Sequence, residues 1–259
     1  MRMCGKFALA CMLGALALGI SGSLPHGAAV AAELVVLTNQ GATPGVRELG
    51  LAFERVSGHK VTVIQEDAAA LERRLNSNVS ADLITSNPGP IEELVRRGKV
   101  VAGTAAPFVL AGLGVSVRAG APKPDISTVE AYKAALLAAK SIGYSRGCSG
   151  THVAEGIEQL GLTAQLKAKT VFTGGGPVVE ALARGDFEIG IQQTNIMVGA
   201  PGTDYVGALP GFLNNPCPSS VAVMTGSKEP EAARAMIKFM TSSEAAPLLR
   251  KTLVEPAKP

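Results

Sequence analysis

The 259-residue sequence contains no tryptophan, three tyrosines and seven phenylalanines, so Val, Ile, Leu and Ala must fill whatever core it builds. It has no HExxH, no paired-cysteine motif and no GxxxxGK, and "GCSG" at 147–150 does not have the spacing of a nucleophile elbow. "GGG" at 174–176 is too short a signal for a nucleotide site. No resident metal or cofactor is therefore expected. After residue 33 there is no low-complexity tract, no solenoid-type repeat and no apolar run of spanning length.

The beginning of the chain is different in kind. Arg2 and Lys6 precede an apolar run over 7–20, and small residues follow up to Ala31 and Ala32. This pattern predicts a signal sequence over 1–32, cleaved near Ala31 or Ala32, and export to the periplasm without membrane insertion of the mature chain. Removal of Arg2 and Lys6 takes the basic residues from 24 to 22 against 21 acids, a balance that argues against a nucleic-acid surface. Only Cys148 and Cys217 survive cleavage. In an oxidising compartment they form one disulfide or remain two separate thiols, and spacing alone leaves both open.

Strands and helices alternate along the mature chain. "ELVVLTNQ" reads as a strand, and "TPGVRELGLAFERVSG" as a helix with Thr43 at the N-cap and Val46, Leu49, Phe53 and Val56 on one face. Strand "KVTVIQ", helix "AAALERRLN", strand "ADLITSN" and helix "PIEELVRRG" follow. The rhythm changes at "FVLAGLGVSVRAGAPKPDIS", where a capping box, Ser127 to Glu130, opens the helix "TVEAYKAALLAAK". A second β-α unit runs through "SIGYS", "THVAEGIEQLG", "AKTVF", "PVVEALARG" and "FEIGIQQ". The reading is an α/β protein of two lobes, each a mostly parallel sheet flanked by helices. Lobe one spans 33–111 and 201–259, lobe two spans 112–200, and the mature protein is a monomer.

Ligands of such sheets bind beyond the carboxyl ends of the strands. Four strand-to-helix loops carry small or polar residues there, at 38–45, 66–70, 145–152 and 172–177. Each offers backbone N–H groups to an anion at a helix start. A helix dipole contributes roughly 0.3 to 2 kcal/mol, whereas micromolar affinity requires about 8 kcal/mol, so charge-assisted hydrogen bonds must supply the remainder. Arg146 is the natural source, with the backbone of Ser149, Gly150 and Thr151 at a helix expected to begin near Thr151. It could instead pair with Glu66 or Asp67 and latch the lobes. His152 either faces the ligand or bonds across its own loop.

From 33 to 256 the chain resembles the periplasmic solute-binding proteins of ABC importers, specifically the molybdate-binding, type II kind. The residues that carry the likeness are "LVVLTNQGATPGVRELGLAFERVSGHKVTV", "ADLITSNPGPIEELVRRGKV", "ALARGDFEIGIQQ" and "EAARAMIKFMTSSEAAPLLRK". The resemblance implies two lobes closing over a small anion, an inner-membrane ABC permease as partner, and ligand-binding positions at Asn39, Gln40, Gly41, Ala68, Arg146, Ser149, Gly150, Thr151, Gly175, Gly176 and Gln193. It also implies a departure. Gln40 and Gly41 stand where the molybdate binders have a serine pair, Ala68 where they have a serine, and Gln193 where they have a tyrosine. Arg146 is an addition, and its planar fork suits a carboxylate. The chain is further similar to periplasmic aconitate isomerase, which implies an alternative: proton abstraction and return on a tricarboxylate, with His152, Asp67 and Glu66 as acid and base.

With the hydroxyls of a tetrahedral-oxyanion site replaced by Gln40, Gly41 and Ala68, molybdate is expected to bind weakly or not at all. A calorimetric titration returning submicromolar molybdate affinity would contradict this.

Overall fold

The computed structural model describes residues 31–257 apart from 67, 78–79 and 174–176. The expected signal sequence lies, as far as residue 30, outside the described residues. Among those described, no helix is long and apolar enough to cross a membrane.

β1 (Glu33–Thr38), β2 (Lys60–Gln65) and β3 (Leu83–Ser86) alternate with α1 (Thr43–Ser57), α2 (Ala68–Leu75) and α3 (Pro88–Arg96). β1 is apolar along most of its length because it is covered on both faces. Leu34 and Val36 enter one core with α1, while Val35 and Leu37 meet Ile84, Ile91 and Leu94 on the other side. β4 (Ala106–Ala111) then runs through Gly112 straight into β5 (Leu113–Arg118), carrying the chain from one sheet to another. The second sheet is completed by α4 (Val129–Ala138), β6 (Ile142–Tyr144), α5 (Cys148–Gln159), α6 (Thr163–Leu166), β7 (Thr170–Phe172), α7 (Val178–Arg184), β8 (Ile189–Gln193), α8 (Thr194–Met197) and β9 (Thr203–Ala208). The chain returns through β10 (Cys217–Val223), α9 (Pro230–Met240), α10 (Ala246–Lys251) and β11 (Glu255–Pro256).

The first sheet has the order β11-β4-β10-β3-β1-β2 and the second β7-β6-β8-β5-β9. Both are mixed, where the sequence rhythm suggests mostly parallel sheets. The β-α units give the parallel pairs β1–β2, β1–β3, β6–β7 and β6–β8, whereas the crossing strands β5 and β10 enter antiparallel to their neighbours. β9, which the sequence boundary at Ala200 puts beyond the second lobe, pairs with β5 in the second sheet. Its signal is weak because Asp204, Tyr205 and Gly207 interrupt the apolar pattern, but without it β5 would present an open edge. Two helix starts also differ from the sequence reading. The cap of α1 is Ala42 and Thr43 bonds backward to the Asn39 carbonyl at 2.9 Å; α4 is capped by Thr128, whose hydroxyl accepts from Ala131 N–H at 3.0 Å.

The returning tail is anchored by one buried acid. Asp82, 4 % exposed, accepts from Val35 N–H at 2.8 Å through Oδ2. Its Oδ1 accepts from the Ser227 hydroxyl at 2.8 Å and from the N–H groups of Lys228 and Glu229 at 3.0 and 3.3 Å. It thus joins β1, the start of β3 and the approach to α9, whose Ala233, Met236 and Met240 complete the core over β1. Hydrogen bonds to a charged acceptor contribute about 1.5–3 kcal/mol each. Asp82→Ala is expected to lower unfolding free energy by about 3 kcal/mol or more in urea titration; a loss below about 1 kcal/mol would show that this carboxylate does not anchor the tail.

Candidate functional site

The carboxyl ends of β1 and β3 and the amino-terminal part of the antiparallel β10 converge on Asn39. Its amide Nδ2 donates to Asn87 Oδ1 at 3.1 Å and Ser219 Oγ at 3.4 Å, while its Oδ1 accepts from Ala42 N–H at 3.2 Å. Asn39 therefore shapes the β1–α1 loop and holds three strand ends together. The next two residues meet the other sheet. Gln192 Nε2 donates to Gln40 Oε1 at 2.9 Å, and Asn195 Nδ2 donates to the Gly41 carbonyl at 2.8 Å. A Cβ on residue 41 would lie 3.0 Å from Gln193 Nε2, so glycine lets the loop approach this closely. Gln40, Gly41 and Gln193 are thus brought together where the two sheets face each other. Gln192, 2 % exposed, also accepts from Val178 N–H at 3.1 Å and so ties α7 to the same junction. Sequence reasoning singled out only the second amide of "IQQ", and missed Gln192, Asn195, Asn87 and Ser219. Two adjacent amides ending an apolar strand were the available signal.

The β6–α5 loop supplies the charge. α5 begins at Cys148 after the extended Gly147, three residues earlier than the sequence pattern suggests. Thr151 N–H consequently donates to the Gly147 carbonyl at 3.0 Å inside the helix and is not available to a ligand. Among the described residues, the N–H groups of Cys148, Ser149 and Gly150 have no acceptor, so Ser149 and Gly150 keep free donors as expected and Cys148 takes the place of Thr151. Ser149 is 2 % exposed, with its hydroxyl 3.4 Å from that of Ser145. Ser145 also accepts from Gly147 N–H at 3.3 Å. A Cβ at Gly150 would collide with the Ser145 carbonyl, so only glycine permits this tight turn.

Arg146 is exposed, and its guanidinium lies 4.2 Å above the ring of Phe172, the last residue of the neighbouring strand β7. Among the described residues no carboxylate pairs with it. Phe172 packs edge-on against Tyr144 at 5.2 Å. Burial raises the Tyr144 hydroxyl above its ordinary pKa, against downward pulls from its hydrogen bond with Thr170 and from the Arg146 charge. Tyr144 is accordingly neutral at physiological pH. Beside Phe172, the buried Thr173 hydroxyl has no partner among the described residues. Gly175 and Gly176, the expected donors of the following loop, lie outside the described residues.

Of the residues expected for acid–base chemistry, Glu66 and His152 each have other partners among the described residues. Glu66 accepts from both Nε and a terminal nitrogen of Arg74 at 2.6 Å. Asp67 lies outside the described residues, and Ala68 begins α2. His152 lies against a groove of about 410 Å³, lined also by Glu155, Gln159, Phe212 and Asn214. Its Nδ1 is 3.0 Å from the Asn215 carbonyl and 3.9 Å from Cys217 Sγ. Cys148 and Cys217 form a disulfide, with Cα atoms 5.9 Å apart. No contact joins His152 to Glu66 among the described residues.

The comparisons with known proteins agree with this architecture. A family model described as bacterial extracellular solute-binding protein matches residues 34–252. Aconitate isomerase from a Pseudomonas species is 30 % identical over 229 residues, covering 86 % of this chain and 87 % of that protein. The periplasmic molybdate-binding protein of Azotobacter vinelandii superposes with a TM-score of 0.70 at 18 % identity, covering 87 % of this chain and 99 % of that one. The sulfate-binding protein of Mycobacterium tuberculosis gives 0.69 at 19 % identity, over 88 % of each chain. With these matches spanning nearly all of the described residues and the same two mixed sheets, the chain belongs to the bacterial extracellular solute-binding proteins and has their two-lobed type II fold.

Proposed function

We propose that this protein is a periplasmic receptor that captures a small organic anion with two or three carboxylates and passes it to an inner-membrane ABC permease. The observation that carries the reading is Arg146, whose guanidinium carbon lies 4.2 Å over the Phe172 ring, two residues before α5, whose first three N–H groups have no acceptor among the described residues. Stacking on a ring leaves the edge of the guanidinium fork free for a carboxylate. The adjacent helix start adds unpaired donors and a favourable dipole. The facing junction contributes neutral amides, Gln40, Gln193 and Asn195, braced by the buried Gln192; these suit carboxylate and hydroxyl oxygens of an extended ligand better than a compact tetrahedral oxyanion. The receptor is a monomer without a cofactor, its second lobe extending through β9.

The likeness to aconitate isomerase favours a second reading, in which the same cradle moves a double bond in a tricarboxylate by proton transfer. That chemistry requires a free base and a free acid at the ligand. Among the described residues Glu66 is ion-paired with Arg74 and His152 is bonded to Asn215, so neither of these two groups is a free base, which supports the receptor reading.

Arg146→Ala is expected to weaken binding of tricarboxylates such as citrate or trans-aconitate about ten- to several-hundredfold in calorimetry, the loss of a charge-assisted contact. The melting temperature of the unliganded protein should be almost unchanged, because the guanidinium is exposed. Wild-type affinity in the variant would place the ligand elsewhere. Incubated with cis-aconitate, the protein is expected to bind it and leave it unaltered. Accumulation of trans-aconitate in the proton NMR spectrum, absent with heat-denatured protein, would replace the receptor by the isomerase.

A further inference from the structure

The disulfide brings a third donor into its own neighbourhood. Cys148 is the first residue of α5 and Cys217 the first of β10, separated by 69 positions in sequence. One turn beyond Cys148 on the same flank of the helix is His152. Both of its ring nitrogens are 4.0 Å from Cys148 Sγ, and Nδ1 is 3.9 Å from Cys217 Sγ. A carbonyl oxygen can only accept, so the 3.0 Å contact with Asn215 assigns the ring proton to Nδ1 and leaves the lone pair on Nε2. Metal-binding histidines are held in this manner, with one ring N–H on a backbone carbonyl and the other nitrogen free. The groove of about 410 Å³ beside the ring gives solvent access.

The geometry points to a redox-gated metal site: once the disulfide is reduced, Cys148 Sγ, Cys217 Sγ and His152 Nε2 bind a thiophilic cation of the zinc class. A dithiol is the reductant. It gives two electrons and two protons and becomes a disulfide, while the Cys148–Cys217 bond breaks to two thiols. The cation then forms two bonds to sulfur and one to nitrogen, both thiol protons pass to solvent, and a fourth position stays open to water. Tetrahedral zinc, with bonds of about 2.3 Å to sulfur and about 2.0 Å to nitrogen, puts sulfur and nitrogen ligands about 3.5 Å apart and the two sulfurs about 3.8 Å apart. The ring therefore needs to approach Cys148 by about half an ångström, and the freed sulfurs need to separate. A bound ion would replace the disulfide as the tie between α5 and the crossing strand.

Reduction with a phosphine, which becomes its oxide with oxygen from water and leaves no competing thiol, prepares the protein for anaerobic titration with zinc and cobalt. Reduced wild type is expected to bind a single zinc ion and to show thiolate-to-cobalt absorption, whereas the oxidised protein shows neither. His152→Ala, checked for an unchanged melting temperature when oxidised, should bind zinc about tenfold or more weakly after reduction, and Cys217→Ser should lose part of the thiolate absorption. Equal zinc binding by oxidised and reduced protein, or undiminished affinity in His152→Ala, would overturn the proposal. So would a reduced protein that unfolds and is not refolded by stoichiometric zinc.

Discussion

Two neighbouring chain crossings are the constraint on which the rest of the structure depends. The chain leaves the first sheet at Gly112 and comes back through 209–217, and the two passages are fastened side by side. Leu113 N–H donates to Asn214 Oδ1 at 2.7 Å and Ala111 pairs with Cys217 in the β4–β10 ladder, while Thr194 N–H donates to the Gly112 carbonyl at 2.8 Å and ties the first passage to the end of β8. The disulfide then joins the second passage to the start of α5. Closing a loop of this length restricts the unfolded chain by about 4 kcal/mol in the chain-entropy account. Because the loop that carries Arg146 leads directly into Cys148, the same bond that secures the crossings also fixes the origin of the helix proposed to meet the ligand.

The contacts across the facing sheets are of a different strength. Gln40 with Gln192 and Asn195 with the Gly41 carbonyl are neutral hydrogen bonds, each contributing about 1 kcal/mol net. Contacts of that size hold two lobes together only marginally, so a ligand with differential affinity for the closed arrangement can shift the balance between open and closed forms. In the proposed site, as far as the described residues show it, Arg146 supplies the charge on one side while the opposite loop offers amides. In that proposal the division separates attraction of an anion from the sensing of its shape and hydroxyl pattern.

The two proposed readings share one kind of pocket, since a polycarboxylate receptor and an isomerase of a tricarboxylate would each need a cradle for several carboxylates. What separates them is a free base beside the ligand. In this chain the acid at Glu66 is neutralised within its own loop and helix by Arg74, and the imidazole of His152 is turned toward Asn215 and the two sulfurs. His152 is thereby part of the framework around the crossing.

Much of this was written in local sequence. The β-α alternation, the apolar strand "ELVVL", the glycines that close α1 and α7, and the amphipathic tail identify an α/β protein of two lobes, because periodicity and capping are properties of neighbouring residues. The sequence also located Arg146 and the small residues around it. It did not reveal that α5 starts at Cys148, since Cys148, Ser149 and Gly150 are weak helix markers and the turn is imposed by the close approach of Gly150 to Ser145. Nor could it pair β9 with β5, join Cys148 to Cys217, or choose between the ligand and the Asn215 carbonyl for His152. Those choices depend on which groups meet across tens of residues, and only the packing of the two sheets about their crossings brings them within bonding distance.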